Sequence, residues 1–371
     1  MRIAPFEIER FYEQWEFRAR LMLSSSDCES RPVRELLSLE PDSLERLLEL
    51  RLGYTEVPGS PELRAAIARC YETIEPGDVL ALAAAEEGIF TLYHALLAPG
   101  DHVVVETPCY GSALEVARST GAHVEEWHRN DGDGWAYDVA ALERLMRADT
   151  RMLYINSPHN PTGTQMSAEV FARVVDLARE RDLVLFSDEA YRGLEHDPAD
   201  RLPAACDLDE RAVSLGSISK SYGLPGLRLG WLVTRDAALR ESFMRVKDYT
   251  TICSSAPSEV LTALALRNRD VLLERNRAIV QRNLPRLEAF FDAHPETFEW
   301  IRPIAGPIGF PRVRGVGDVD RFCRRLAAAG VLLLPGSVYD EPGHVRVGFG
   351  RANLPEALAA LESALVAPAT V

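Results

Sequence analysis

The chain has 371 residues, of which 47% are hydrophobic and 26% charged, an ordinary balance for a folded globular protein. Its 41 basic and 56 acidic side chains give a formal net charge of −15. Nucleic acids and anionic membranes attract basic surfaces, so this charge argues against both as partners. No apolar run approaches the roughly 20 residues of a membrane span. The glutamates among the first 20 residues do not fit a signal peptide, and we expect a cytoplasmic protein.

Six cysteines are scattered along the chain, at positions 28, 70, 109, 206, 253 and 323, without a CxxC pair. In a reducing compartment they are expected to be free thiols. Cysteine and histidine are not clustered as a zinc site requires, so no metal is expected.

The first 30 residues predict a helix and then a polar segment. From about residue 36 to residue 257, short apolar runs alternate with helical patterns such as Glu87–Leu97 and Ala168–Arg179. The runs are Val79–Ala83, His102–Glu106, Met152–Asn156, Leu183–Ser187, Ala212–Gly216 and Gly230–Thr234. Nearly continuous apolar runs between helices indicate a mostly parallel sheet covered by helices on both faces.

The pattern changes after this region. A long helical stretch is predicted over Pro257–Ala293, and helices and short strands follow it. The strand-like segments are Ile308–Val313, Val331–Leu334 and His344–Phe349. We therefore expect an α/β protein with a large domain at residues 36–257. A connecting helix and a smaller α+β domain are expected at 258–371, with residues 1–35 packed against the smaller domain.

A lysine follows one of the apolar runs, in the string Ser217-Ile-Ser-Lys220. A lysine at the end of a buried strand is partly desolvated, which keeps its amine nucleophilic. Eight residues further on, Arg228 adds a guanidinium. Together with the hydroxyls of Ser217 and Ser219, it suits a phosphate anchored beside an aldehyde that reacts with Lys220. An isolated lysine would be expected at the surface, and it is these neighbours that favour a cofactor site.

Two other polar motifs follow apolar strands. Asp188 ends such a run, at the position where open α/β sheets bind ligands. A carboxylate there can keep a pyridinium nitrogen protonated, which makes the ring an electron sink. Tyr191 and Asn160, the latter in an Asn-Pro-Thr-Gly turn, can both donate to the ring's phenolic oxygen. The alternatives are a helix N-cap for Asp188 and ordinary turn chemistry for Asn160.

In order and spacing, these three motifs resemble the fold type I, class I/II aminotransferases, which depend on pyridoxal 5′-phosphate. The resemblance extends over the whole chain. It implies a Schiff base between the cofactor and Lys220, with Asp188 and Tyr191 as further catalytic residues. It also places the aromatic ring of Tyr110 against the face of the cofactor.

The same resemblance places the cofactor's phosphate at the turn formed by Ala84, Ala85 and Glu86. There, backbone N–H groups and the helix dipole would hold the anion. Relatives usually have Gly or Ser where this chain has Ala84 and Ala85, which leaves only backbone donors. Tyr54 matches a tyrosine that relatives send to the neighbouring subunit's phosphate, which implies a homodimer with composite active sites. The segment Thr250–Pro257 matches one near the partner's cofactor.

Arg346 matches the family's arginine that binds the substrate carboxylate, where a bidentate and permanently charged clamp is needed. The alternative is a solvent-facing arginine on a strand. A carboxylate clamp favours loss of the proton at Cα, for which Lys220 is the natural base. The resemblance therefore implies transamination of an L-amino acid with a 2-oxo acid.

Within the family, the chain is most similar to the capreomycidine synthase branch. The similar segments are residues 23–26, 158–161, 219–228, 247–251 and 335–338. This branch implies an alternative reaction, in which a hydroxylated, arginine-like amino acid loses its hydroxyl and closes a ring. The chain departs from the branch around Tyr54 and around residues 26–30, so the resemblance does not identify the substrate.

The N-terminal segment of relatives folds over the substrate, and three side chains there are candidates for binding it. These are Ser26, Asp27 and Glu29, of which the two carboxylates could pair with a guanidinium or ammonium group. The alternative is a solvated loop. Lys247 and Asp248 are expected to be an exposed pair on a helix.

Two other classes of protein are less consistent with the sequence. A non-catalytic cofactor-binding regulator would usually lack the reactive lysine or carry a DNA-binding module, for which there is no room before residue 36. A Rossmann dehydrogenase would need a GxGxxG string after the first strand, and the chain has none there.

Overall fold

The computed structural model describes residues 2–366. Its strands are β1 Leu21–Met22, β2 Val79–Leu82, β3 His102–Thr107, β4 His123–His128, β5 Thr150–Asn156, β6 Val184–Asp188, β7 Val213–Ser217, β8 Gly230–Val233, β9 Phe298–Glu299, β10 Ile308–Gly309, β11 Arg312–Val313, β12 Val331–Leu332, β13 Leu334–Pro335 and β14 Val345–Gly348. Its α-helices are α1 Glu7–Trp15, α2 Val33–Leu37, α3 Ser43–Leu48, α4 Pro61–Ala68, α5 Ala84–Leu96, α6 Gly111–Ser119, α7 Val139–Leu145, α8 Ala168–Glu180, α9 Ala205–Leu208, α10 Ala237–Lys247, α11 Ala256–Arg267, α12 Arg269–Ala293, α13 Val319–Ala328 and α14 Leu354–Val366.

Seven strands form one sheet in the order β2-β8-β7-β6-β5-β3-β4. Only β8 runs against the others, pairing antiparallel with both β2 and β7. The remaining six strands therefore end at the same edge of the sheet. This mostly parallel, mixed sheet covered by helices confirms the predicted α/β class.

The sheet is buried on both faces because successive side chains point in opposite directions. On β5, Met152 and Tyr154 pack against one set of helices, while Leu153 and Ile155 pack against the other. Strand β4 was not predicted, since it lies at the edge of the sheet and its polar residues are partly exposed.

A separate hydrophobic core joins the two ends of the chain. Ile8 and Leu23 of the N-terminal segment pack with Leu332 and Val347 of the C-terminal third. Strand β1 also pairs in parallel with β12. The N-terminal segment is thereby fixed beside the small β10-β14-β13 sheet.

The structure corrects two expectations. The helical stretch predicted over residues 257–293 is two helices that meet at Asn268, whose side chain donates to the carbonyl of Leu264 at 2.9 Å and so ends α11. Lys247 is not an exposed helix residue but is fully buried, and its ammonium donates to the carbonyl of Ile252 at 3.3 Å.

Over residues 2–366, no helix combines the length and apolar character that crossing a bilayer requires. In the same part of the chain, no group of three or more His, Cys, Asp or Glu side chains could hold a metal ion. The six cysteines are free thiols.

Close packing of the N-terminal segment depends on a glycine in β14. A Cβ at Gly348 would collide with the carbonyl oxygen of Ser25. We predict that Gly348→Ala lowers the free energy of unfolding by about 1–3 kcal/mol, the usual cost of overpacking. Urea unfolding measures the change. Gly77→Ala is the control, because a Cβ there meets nothing within 4 Å; equal effects of the two substitutions would contradict the prediction.

Candidate active site

A cavity of about 460 Å³ opens at the edge of the sheet where the parallel strands end. Asn156, Asp188 and Ser217, the last residues of β5, β6 and β7, all line it. Of the residues singled out from the sequence, the cavity is lined by Ser26, Asp27, Ala84, Ala85, Glu86, Tyr110, Asn160, Asp188, Tyr191, Ser217, Ser219, Lys220, Arg228 and Arg346. The structure thus brings together side chains from both ends of the chain.

The amine of Lys220 lies inside this cavity. Its Nζ donates a hydrogen bond to the hydroxyl of Ser26 at 2.7 Å. Burial lowers the pKa of Lys220, and the nearby carboxylates of Asp27 and Asp188 oppose that shift only in part. A lysine with a lowered pKa has a larger neutral fraction, which is the form that attacks an aldehyde or accepts a proton.

The carboxylate of Asp188 is buried in the floor of the cavity. It accepts hydrogen bonds from the backbone N–H of Ala190 at 3.0 Å and from the hydroxyl of Tyr154 at 3.3 Å. Burial nevertheless raises the pKa of Asp188 to about 6. Burial disfavours the ionised form of this carboxylate, and a cationic group bound against it would stabilise that form.

A buried ion pair supports the turn that carries Asn160. Glu106 and Arg129 are almost fully buried, and Nη2 of Arg129 lies 2.8 Å from Oε1 of Glu106. The other oxygen of Glu106 accepts from the backbone N–H of Asn156 at 2.8 Å. The side-chain oxygen of Asn156 in turn accepts from the backbone N–H of Asn160 at 2.7 Å. Through these hydrogen bonds, the ion pair holds the backbone of the turn in place.

The guanidinium of Arg346 is buried and is surrounded by neutral acceptors. It donates to the carbonyl of Ser24 at 2.9 and 3.1 Å, to the hydroxyl of Tyr12 at 2.7 Å and to the side-chain oxygen of Asn160 at 3.3 Å. It also donates to the hydroxyl of Tyr339. Between residues 2 and 366, no carboxylate forms an ion pair with it. A buried cation with only neutral partners is a strong site for an anion.

The turn that opens α5 lines the cavity with Ala84, Ala85 and Glu86. Ala84 has a left-handed backbone, with φ of 75°, which an L-residue adopts only at a cost. A Cβ at Gly230 would lie 2.7 Å from the backbone of Ala84 and Ala85, so glycine is required there for β8 to approach the turn. Arg228, also left-handed, lines the cavity nearby and is exposed. A helix N-terminus beside an arginine suits a phosphate.

Aromatic and hydroxyl side chains complete the walls. Tyr110 packs edge-on against Phe6, with ring centroids 4.9 Å apart. The hydroxyl of Tyr191 is buried and makes no hydrogen bond with any residue between 2 and 366. Burial raises its pKa, while Arg346 and the Ser26 hydroxyl lie close enough to oppose that rise.

The two serines beside the lysine are both buried at the end of β7. The hydroxyl of Ser217 accepts from the backbone N–H of Ser219 at 3.1 Å, which stabilises the turn leading to Lys220.

Acidic side chains also line the cavity. Glu9 and Glu16 of the N-terminal segment lie there with Asp27. Burial raises the pKa of Glu16, and the charges of Glu9 and Asp27 raise it further. Asp27 pairs with Arg351 at 3.1 Å. Within the described residues, neither Glu9 nor Glu16 is part of an ion pair.

Two residues expected at the site lie outside this cavity. Glu29 points away because its carboxylate accepts a hydrogen bond from the backbone N–H of Ala352 at 2.9 Å, which corrects the expectation that it faces the substrate. Tyr54 is 93% exposed on the surface of the single chain.

Several lining residues were not predicted, chiefly Glu9, Tyr12 and Glu16 of the N-terminal segment and Arg351 near the C-terminus. The spacing of three and four residues between the first three places them on one face of a helix, which was a detectable signal. Nothing local in the sequence indicates that this face lies against Arg346.

Comparison with known proteins identifies the family. A family model described as "Aminotransferase class I and II" matches residues 20–361. The chain belongs to this family.

Capreomycidine synthase of Streptomyces vinaceus is 32% identical over 366 residues, covering 96% of this chain and 93% of that protein. A PLP-dependent aminotransferase from Streptococcus suis superposes with a TM-score of 0.93 at 29% identity, covering 98% of both chains. The PLP-dependent cyclase OrfR superposes with a TM-score of 0.90 at 28% identity, covering 98% of this chain and 97% of that one.

The chain is therefore a fold type I enzyme that depends on pyridoxal 5′-phosphate, and its cavity fits that cofactor. The amine of Lys220, the carboxylate of Asp188 and the hydroxyl of Tyr191, which has no hydrogen-bond partner among residues 2–366, line one cavity. They match the aldehyde, the ring nitrogen and the phenolic oxygen of the cofactor in chemical type. The turn at Ala84 lies at a helix N-terminus, which in chemical type matches the phosphate.

The ion pair of Arg129 with Glu106 is expected to contribute to the stability of the fold. We predict that Arg129→Met costs about 3–5 kcal/mol of stability, because Glu106 is left as an unpaired buried carboxylate. Burial already raises the pKa of Glu106, and loss of the cation raises it further. The folded state then retains a proton that the unfolded chain releases, so the variant loses stability as the pH rises.

Urea unfolding at pH 5.5 and pH 8 measures this effect. The double variant Glu106→Gln, Arg129→Met should recover part of the loss, since it removes the unpaired charge. Arg173→Met, which breaks the surface pair of Arg173 with Glu143, is the control and should change stability little, because water screens an exposed ion pair. A loss from Arg129→Met that does not grow with pH would contradict the prediction.

Proposed function

We propose that the enzyme is an aminotransferase that exchanges the amino group of an L-amino acid with a 2-oxo acid. The observation that supports this most directly is Arg346, a buried cation without an anionic partner among residues 2–366, in the same cavity as Lys220 and Asp188. The α-carboxylate of an amino acid supplies the missing anion, and binding it to Arg346 orients Cα towards Lys220.

Residues at and just after the strands of the large sheet would hold the cofactor. Lys220 would bind it through its aldehyde, Asp188 would pair with the ring nitrogen, and Tyr191 and Asn160 would donate to the phenolic oxygen. The cofactor supplies a ring that withdraws electrons from the bonds at Cα. Tyr110 would cover one face of that ring.

The phosphate would bind where the cavity offers backbone and hydroxyl donors. The N–H groups of Ala84, Ala85 and Glu86 and the guanidinium of Arg228 would hold it, with Ser217 and Ser219 as hydroxyl donors. This assignment rests on the lining of the cavity and on the helix that begins at Ala84.

Lys220 is the group that would move the proton. Its lowered pKa leaves a neutral fraction of Nζ, and the hydrogen bond to Ser26 holds that atom inside the cavity. Once the amino group of the substrate has displaced Nζ from the cofactor, Nζ would be free to take the proton from Cα and to give it back, and water would then release the 2-oxo acid. Asp188 would remain ionised while it is paired with the ring nitrogen.

A second reaction is favoured by a specific feature of this cavity. The cavity has an acidic wall, formed by Glu9, Glu16 and Asp27, that would accept a guanidinium or ammonium group. Proteins similar to the chain along nearly its full length include a capreomycidine synthase and a cyclase. With a hydroxylated, arginine-like amino acid, removal of the Cα proton would be followed by loss of the hydroxyl and ring closure. Lys220 and Arg346 would have the same roles in both reactions.

The active unit is proposed to be a homodimer. Tyr54 and Tyr249 are each 93% exposed, and Leu52 and Ile252 are exposed on the same two segments. These segments are adjacent, since the hydroxyl of Thr55 donates to the carbonyl of Ser254 at 3.0 Å. Exposed aromatic and aliphatic side chains in one region typically mark a contact surface, and a second copy of the chain would cover it.

One experiment distinguishes the two reactions. The holoenzyme is mixed with single amino acids, including arginine and hydroxylated arginine, without any 2-oxo acid. Conversion of the cofactor to its amine form, with one oxo acid released per site, is expected for an aminotransferase. Many turnovers with the cofactor returned to its aldehyde form, and loss of water from the product, would support the cyclase. An enzyme that leaves every amino acid unchanged would contradict both.

The role of Arg346 can be measured on its own. We predict that Arg346→Lys lowers kcat/KM for the amino acid about 10- to 100-fold, as expected from the loss of a hydrogen-bonded charge pair of roughly 1.5–3 kcal/mol. The reaction of the corresponding amine, which lacks the carboxylate, should change far less. Arg314→Lys, at an exposed ion pair with Glu299, is the matched control. Equal losses for amino acid and amine would show that Arg346 does not bind the carboxylate.

A further inference from the structure

A buried carboxylate joins the phosphate turn to a distant segment. One oxygen of Glu87 accepts a hydrogen bond from the backbone N–H of Ala83 at 2.5 Å. The other accepts from the hydroxyls of Thr250 and Thr251, the latter at 2.7 Å. Glu87 therefore joins the turn before α5 to Thr250 and Thr251, which follow Glu87 by 163 and 164 positions in the chain.

The turn needs such support. Ala84 is left-handed, and no side-chain oxygen caps the start of α5, where Ala83 is the N-cap residue. Glu87 provides the missing contact by reaching back from inside the helix to the N–H of Ala83, as acidic residues do in a capping box. Because Glu87 is itself held by two hydroxyls, its carboxylate has little freedom to leave the turn.

The segment that holds Glu87 has two different faces. Its inner face carries the hydroxyls of Thr250 and Thr251, and buried Lys247 donates to the carbonyl of Ile252 at 3.3 Å. Its outer face carries Tyr249, 93% exposed, and Ile252, a β-branched residue with a left-handed φ of 64°. A β-branched residue in this region is strained and persists only where its surroundings hold it.

We propose that Glu87 is a positioning residue that couples cofactor binding to dimer formation. A second copy that covers Tyr249 and Ile252 would restrict the segment 249–252, and the two threonine hydroxyls would transmit this restriction through Glu87 to the phosphate turn. By reciprocity, the bound cofactor stabilises the dimer by the same factor. This proposal rests on the proposed function for the cofactor and the homodimer, but the role of Glu87 follows from contacts within one chain.

The first test removes the hydroxyls and keeps the shape of the side chains. Thr250→Val, Thr251→Val is expected to weaken binding of pyridoxal 5′-phosphate about tenfold, since hydrogen bonds to a charged group are lost. Thr250→Ser, Thr251→Ser keeps both hydroxyls and should restore the affinity of the unaltered protein. Affinity is measured by titrating the apoenzyme and following the absorbance of the cofactor bound to Lys220. Equal affinity of the valine and serine variants would overturn the proposal.

If the double valine variant does not fold, the single variant Thr251→Val provides the same comparison. The hydroxyl of Thr251 donates to Glu87, whereas that of Thr250 also donates to the carbonyl of Lys247. Thr251→Ser is then the control, and urea unfolding of the apo forms shows whether general stability has changed. A loss of cofactor affinity in Thr251→Val without the matching loss in Thr251→Ser supports the positioning role.

The second test measures the coupling itself. The dimer dissociation constant is determined by dilution with and without pyridoxal 5′-phosphate. The cofactor should tighten the dimer of the unaltered protein severalfold, and this factor should be smaller in the valine variant than in the serine variant. A factor that persists unchanged in the variant, or a protein that binds the cofactor as a monomer, would overturn the coupling. Failure of the unaltered protein to bind pyridoxal 5′-phosphate would instead contradict the proposed function.

Discussion

The guanidinium of Arg346 holds three parts of the chain around one cavity. Its N–H groups bind the carbonyl of Ser24 and the hydroxyl of Tyr12 from the N-terminal segment, the side chain of Asn160 from the large sheet, and the hydroxyl of Tyr339 close to its own strand. Taking an arginine out of water costs several kcal/mol, and neutral acceptors offset that cost only in part. The fold therefore holds a site that gains stability when a carboxylate binds.

This arrangement explains why the N-terminal segment belongs to the active site. Strand β1 and the glycine at position 348 place Ser24 and Ser25 directly over β14, next to Arg346. The following residue, Ser26, then reaches the amine of Lys220 at 2.7 Å. A single close approach between two segments at opposite ends of the chain thus sets both the carboxylate site and the position of the base.

Much of the fold could be predicted because the sheet is buried on both faces. Continuous apolar runs marked β2, β3, β5, β6, β7 and β8 to within one or two residues. The edge strand β4 lacked that signal, since its side chains are partly exposed. Asn268 ends a helix through its own side chain within an otherwise helical pattern, which the periodicity of the apolar residues does not reveal.

The site was predictable where its residues follow strands in recognisable motifs, as Asp188, Asn160 and Lys220 do. Contacts between distant segments were not. Tyr12 and Glu16 lie about 330 residues from Arg346, and their position in the cavity follows from the packing of the two chain ends. The position of Glu29 depends on a contact of the same kind, with Ala352.

The charges around the cavity separate what the family shares from what is particular to this chain. Arg346 and Lys220 suit any amino acid, because they face the groups that all amino acids have in common. Glu9, Glu16 and Asp27 line the same cavity, and burial together with the charges of Glu9 and Asp27 raises the pKa of Glu16, so a cation bound among them would favour its ionised form. In the proposed mechanism, Lys220 removes the same proton in both reactions, so the choice between transamination and ring closure would depend on whether the bound side chain carries a leaving group and a nucleophile.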